Sequence, residues 1–135
     1  MVIPIHPAEK NEAATRGNAM PLLHEIRHAL DRLLAAGEET VIDLGAIPMG
    51  PADEAELLEF LGNGEVDATI DACGRSSARE TAFHGVWLVI HRNEQDQVLS
   101  RFIEIAFVPE LLKSQPEDVA DSAAALAERL GPSQH

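Results

Sequence analysis

Residues 80–108 read ETAFHGVWLVIHRNEQDQVLSRFIEIAFV, and this stretch decides the fold class. Its two outer parts, 81–91 and 98–108, are rich in β-branched and aromatic residues, which pack well on a pleated surface. The intervening residues 93–97 are entirely polar and read as a turn. A long antiparallel hairpin is therefore predicted, limited at its far end by Pro109, which cannot donate to a strand ladder.

Both strands are apolar on two sides, more than a sheet covered by helices on one face requires. With Arg92 opposite Val98, the residues Phe83, Trp87, Val89, Leu99, Ile103, Ile105 and Phe107 share the bulkier face, which is assigned to the core beneath the helices. Val86, Leu88, Ile90, Phe102 and Ala106 then share the second face with Glu104. Exposed contiguous apolar surface is uncommon on monomers, so this face is expected either to be covered by the tail or a helix or to dock a partner. On the docking reading, Val86, Leu88, Ile90, Phe102 and Glu104 are the candidate contact residues, and the occupant is a client protein or a second copy of the chain.

Working outward from the hairpin, Leu22, Leu23, Ile26, Leu30, Leu33 and Leu34 recur at helical spacing between Pro21 and a stop at Gly37. Residues 41–44 form a short strand candidate. A second helix starts near Pro51, with Asp53 and Glu54 where the helix dipole favours anions, and packs through Leu57, Leu58 and Leu61 up to Gly62. Val66, Ala68, Ile70 and Ala72 alternate with polar residues, the period of a half-buried strand, and residues 74–77 read as a turn. Ser114 and Glu117 around Pro116 resemble a capping box, opening a last helix expected to bury Val119, Ala123, Leu126, Ala127 and Leu130. Residues 1–17 lack periodicity and read as a mobile tail, which leaves residues 18–135 as a single domain. The expected fold is α+β: a mostly antiparallel sheet of three to four strands with about three helices packed chiefly on one face.

Charge and composition narrow the partners. A net charge of −13 argues against nucleic acid and against an anionic membrane surface, since both attract basic patches. The acidity is regional: Glu38, Glu39, Asp43, Asp53, Glu54, Glu56, Glu59, Glu65, Asp67 and Asp71 fall in a stretch without Lys or Arg. Such a surface keeps a protein soluble, and it also attracts a basic segment of a partner. No apolar run approaches the ~20 residues needed to span a bilayer. Cys73 stands alone and no secretion signal is visible, so a reducing, cytoplasmic setting is expected.

One short motif points to metal chemistry. His24-Glu25-Ile26-Arg27-His28 fits H-E-x-x-H, in which two histidines one turn apart bind zinc and the glutamate activates water. At 100° per residue, however, the apolar stripe of this helix centres on Ile26 and Leu30, and both histidines project from the opposite side. No third ligand is marked out, so no metal, cofactor or catalytic residue is assigned. A zinc hydrolase using His24 and His28 stands as the alternative reading, beside a generic interaction module.

Two stretches, residues 18–66 and 80–119, resemble the conserved C-terminal domain of the hydrogenase expression/formation proteins known as HupH or HyaF. The resemblance rests on the order and spacing of Ile42-Asp43-Leu44, Pro48, Leu61-Gly62, Gly64-Glu65-Val66, Glu80-Thr81, Gly85-Val86-Trp87, Ile103-Glu104, Pro109-Glu110 and Glu117-Asp118. Longer family members contain more than the one domain's length present here. The resemblance implies a non-enzymatic accessory role in maturing nickel-iron hydrogenase. It also implies binding to the immature iron-sulfur small subunit, with other maturation proteins as further partners.

Overall fold

The computed structural model describes residues 17–71 and 73–132. Most of the tail expected over residues 1–17 lies outside the described residues. The first helix, α1 (Ala19–Ala36), buries Leu22, Ile26, Ala29 and Leu33, the three-to-four-residue spacing of one helical face. It closes at Gly37, whose N–H reaches the Leu33 carbonyl at 2.9 Å. Strand β1 (Thr40–Asp43) follows, and Asp43 Oδ1 accepts the Gly45 N–H at 2.9 Å, turning the chain through a short 3-10 turn, Leu44–Ala46. Helix α2 (Pro51–Leu61) opens on proline and buries Leu57 and Leu61. Asp53, in the first turn of α2, is fully buried, and neither carboxylate oxygen has a hydrogen-bond partner among the described residues. Strands β2 (Asp67–Asp71), β3 (Arg75–Glu80), β4 (Val86–Arg92) and β5 (Val98–Ile105) come next. A 3-10 turn, Glu110–Leu112, and helix α3 (Pro116–Leu130) complete the order.

The sheet has five strands in the order β1-β5-β4-β3-β2, and every pairing is antiparallel. This corrects the expectation of three to four. The strand that the sequence pattern conceals is β3: in Arg75-Ser76-Ser77-Ala78-Arg79-Glu80 only Ala78 is apolar, so local propensity points to a turn. Pairing with β2 on one side and β4 on the other makes it a strand, a case of tertiary context overriding propensity.

The hairpin register corrects the face assignment. Arg92 does pair with Val98, but His91 pairs with Ser100, which leaves Leu99 as an extra residue in a bulge. From there to the far end the pairing is displaced by one residue, so Leu88 lies opposite Ile103 and Trp87 opposite Glu104. Because side chains alternate along a strand, one residue of slip exchanges cross-strand neighbours between faces. Val86, Leu88, Ile103 and Ile105 join Leu22, Ile26, Leu33, Leu57 and Leu61 in the core beneath α1 and α2, with Ile90 packed against it. Trp87 and Val89 lie on the opposite face with Ala78 and Phe102, under Leu111 and Leu112. Phe83, Leu99 and Phe107, expected in the core, are exposed. Phe83 precedes β4, Phe107 follows β5, and Leu99 sits in the bulge.

The third correction concerns α3. Only α1 and α2 pack on the sheet; every residue of α3 is exposed, including Val119, Ala123, Leu126, Ala127 and Leu130. Its N-cap is Gln115, without a side-chain capping bond, so the Ser114–Glu117 capping box does not form. The preceding residues are extended (ψ 132° at Lys113, 146° at Gln115) and separate the helix from the Glu110–Leu112 turn.

Candidate functional site

The C-terminus of α2 and the β3–β4 turn are built into one corner by backbone hydrogen bonds. Gly64 N–H donates to the Glu80 carbonyl at 2.8 Å, Ala82 N–H to the Leu61 carbonyl at 2.8 Å, and Glu80 N–H to the Val66 carbonyl at 2.9 Å. Gly64 permits this approach because a Cβ there would stand 2.4 Å from the Thr81 carbonyl oxygen. The turn closes with Thr81 N–H donating to the Val86 carbonyl at 2.9 Å, while Thr81 Oγ1 accepts the Phe83 N–H at 3.2 Å. Gly85 takes φ 90°, a region that L side chains rarely adopt. Its N–H points at Glu80 Oε2, 3.4 Å away, and the other oxygen of this buried carboxylate faces His84 Nδ1 at 3.4 Å.

Held this way, the turn presents Phe83 to solvent at 44% exposure, stacked on Phe60 at 56%, with ring centroids 6.2 Å apart and planes 9° from parallel. The two rings form one wall of a groove of about 270 Å³ whose opposite wall is α1, through Met20, Leu23 and Leu30, with His24 and Arg27 at the rim. The lining is almost wholly apolar. On α2, which carries Phe60, Glu56 and Glu59 are exposed, and Glu65, Asp67 and Asp71 are exposed on the following loop and β2. The groove is thus an apolar slot, with exposed carboxylates on the helix that carries Phe60.

A second cluster lies across the sheet. Trp87 Nε1 donates to the Ala106 carbonyl at 3.1 Å, and Glu104 Oε2 accepts the Glu110 N–H at 2.9 Å beside the buried Pro109. Lys113 pairs with Glu110 of this turn and with Glu39, the residue before β1, each 3.4 Å away; the Glu39 hydrogen bond, chiefly, raises its pKa. Alongside runs an open trough of about 620 Å³ lined by Val41, Ile70, His91, Phe102, Glu104 and Glu110. His91 Nδ1 lies 3.0 Å from Ser76 Oγ, and its ring meets Phe102 edge-on.

The structure divides the residues picked out in the sequence. Gly62, Gly64, Glu65, Glu80, Thr81 and Gly85 come together at the first corner, and Trp87, Glu104 and Pro109 at the second cluster. Asp43 caps the 3-10 turn, and the Pro48 carbonyl receives the Asn18 side chain. The five candidate contact residues are split: Val86 and Leu88 are buried beneath the helices and Ile90 packs against them, while Phe102 and Glu104 face the trough. His24 and His28 are both exposed on α1, and no group of three His, Cys, Asp or Glu that could hold a metal occurs among the described residues. Sequence reasoning missed Phe60. A helical wheel shows it off the Leu57–Leu61 stripe, where an aromatic residue has no place in the core.

Fold and site together define a small α+β domain that carries an aromatic-walled apolar groove on one side of the sheet and a wider trough on the other. No helix among the described residues is long and apolar enough to cross a membrane. Residues 17–132 match the family described as HupH hydrogenase expression protein, C-terminal conserved region, and the chain belongs to that family. It is similar to a solved structure, the hydrogenase expression protein HupH from Thiobacillus denitrificans ATCC 25259. The TM-score is 0.80 and the identity 53%, over 84% of this chain and 95% of that one. The hydrogenase expression/formation protein HoxQ of Azotobacter vinelandii is 33% identical over 116 residues, 82% of this chain and 40% of the relative. The hydrogenase-1 operon protein HyaF of Escherichia coli K12 is 29% identical over 111 residues, 82% of this chain and 38% of the relative. The chain therefore spans about 40% of the length of these longer relatives. The HupH and HoxQ proteins are described by their names as hydrogenase expression or expression/formation proteins.

Proposed function

We propose that this chain is a non-catalytic accessory domain in the maturation of nickel-iron hydrogenase, working in the cytoplasm by holding the immature iron-sulfur small subunit. In this reading residues 18–135 form the single HupH/HyaF-type domain, and other maturation proteins are further partners. The observation that carries the reading is the groove between Phe60, Phe83 and α1 in a member of this family. Aromatic side chains supply large contact area with few rotatable bonds, which is why they anchor protein interfaces. The fit is to an apolar segment of the client, with a basic residue beside it meeting Glu56 and Glu59. Charge at such a rim guides encounter, while the apolar slot retains the bound segment.

The test is a pull-down of the untagged hydrogenase small-subunit precursor by the parent and by Phe60→Ser and Phe83→Ser variants. Capture by the parent and its loss in both folded variants is the expected result. Equal capture by all three moves the site elsewhere, and no capture by the parent removes the small subunit as client.

A further inference from the structure

An amphipathic helix whose apolar stripe no other described residue covers is an unfinished piece of structure. Helix α3 places Val119, Ala123, Leu126, Ala127 and Leu130 on one stripe and Glu117, Asp121 and Glu128 opposite, yet Val119, Leu126 and Leu130 are 53%, 59% and 76% exposed. Isolated helices of about 12–15 residues are marginal in water, so a 15-residue α3 needs a surface on which to lay this stripe. The open trough on the sheet supplies one, with Val41, Ile70 and Phe102 as its apolar floor.

The helix does not cover the trough of its own chain, because every residue of α3 is exposed. Ser114, Gln115 and Asp118 form part of the trough wall, so α3 leaves from the rim and runs outward.

We propose that α3 docks in the trough of a second copy of this chain, whose own α3 docks in return, giving a twofold dimer by helix exchange. Two observations favour this occupant. The donor and the acceptor surfaces stand side by side at one rim, so a single twofold axis satisfies both at once, as an isologous interface requires. The surfaces also match: the stripe exposes Val119, Leu126 and Leu130, and the trough floor is Val41, Ile70 and Phe102. Two exchanged helices, each laying one face about 10 Å wide on a sheet, bury roughly 1,000 Å² in all, the lower bound for a specific interface. Phe60 and Phe83 lie on the other side of the sheet, so the dimer leaves the groove open.

The experiment uses the full chain with Cys73→Ser, to remove the native thiol, and with Val41→Cys and Leu126→Cys together. Oxidation is expected to link two chains, doubling the 14.6 kDa mass on a non-reducing gel. A disulfide within one chain overturns the proposal, because α3 then covers its own trough. Sedimentation of the parent is expected to give a dimer, and Leu126→Asp a monomer with its helical circular dichroism retained, since Leu126 is exposed. A parent monomeric at its highest soluble concentration, or a dimer that survives Leu126→Asp, overturns it as well.

Discussion

Glu104 Oε2 accepts the backbone N–H of Glu110 at 2.9 Å from a residue only 8% exposed, and this bond suspends the Glu110–Leu112 turn over the second face of the sheet. Leu111 and Leu112 cover Trp87 and Val89 as a result. Hydrogen bonds to a charged group contribute roughly 1.5–3 kcal/mol, and Glu104→Ala is predicted to destabilise the fold by about that amount in urea denaturation. Glu104→Gln, which keeps an acceptor, is expected to lose less. An alanine variant as stable as the parent would show that the turn holds itself in place.

Gly64 meets the Thr81 carbonyl more closely than any side chain allows. Gly64→Ala is therefore expected to push the α2–β2 loop off the β3–β4 turn at a cost of about 1–3 kcal/mol, the range for overpacking. The Phe60–Phe83 stack should loosen in the same variant. Thermal unfolding measures the first effect, and the groove contacts in a crystal structure of the variant measure the second.

The bulge at Leu99 makes opposite predictions for two apolar residues near the start of β4. Leu88, buried with Ile103 beneath the helices, should lose about 2–5 kcal/mol on substitution by alanine. Phe83, on the exposed turn, should lose far less and show its effect in client capture. Similar losses at both positions would mean that the register described above is wrong.

His24 and His28 project into solvent, so replacing both by alanine is expected to change stability by no more than about 0.5 kcal/mol. A zinc-dependent role predicts instead stoichiometric metal in protein purified without a histidine tag, and elemental analysis decides between the two.

Association with the client is expected to slow as salt is added, because the exposed carboxylates from Glu56 to Asp71 act over a Debye length of about 8 Å at physiological ionic strength. The dissociation rate should change less, since the apolar groove retains the bound segment. An association rate indifferent to salt would leave these carboxylates with solubility as their role.

Elements whose information is local were legible in the sequence. The helix α1, the proline start of α2 and the polar turn at residues 93–97 each depend on neighbours within one or two turns of chain and stand as read, except that Leu34, placed on the α1 stripe, is exposed. The likeness to a hydrogenase expression family was legible for a related reason, since motif order survives without knowledge of where the motifs meet. Tertiary structure decided what depends on distant partners. Strand β3 exists because β2 and β4 supply hydrogen bonds on both sides, and Ser76-Ser77-Ala78 carries no sign of that. The hairpin faces were decided by one unpaired residue, Leu99, because a period of two converts a single insertion into a change of side. The groove needed the turn at Gly85 and the end of α2 to arrive at the same corner, and α3 shows the remaining limit. Its sequence specifies an apolar stripe but not the surface that will cover it.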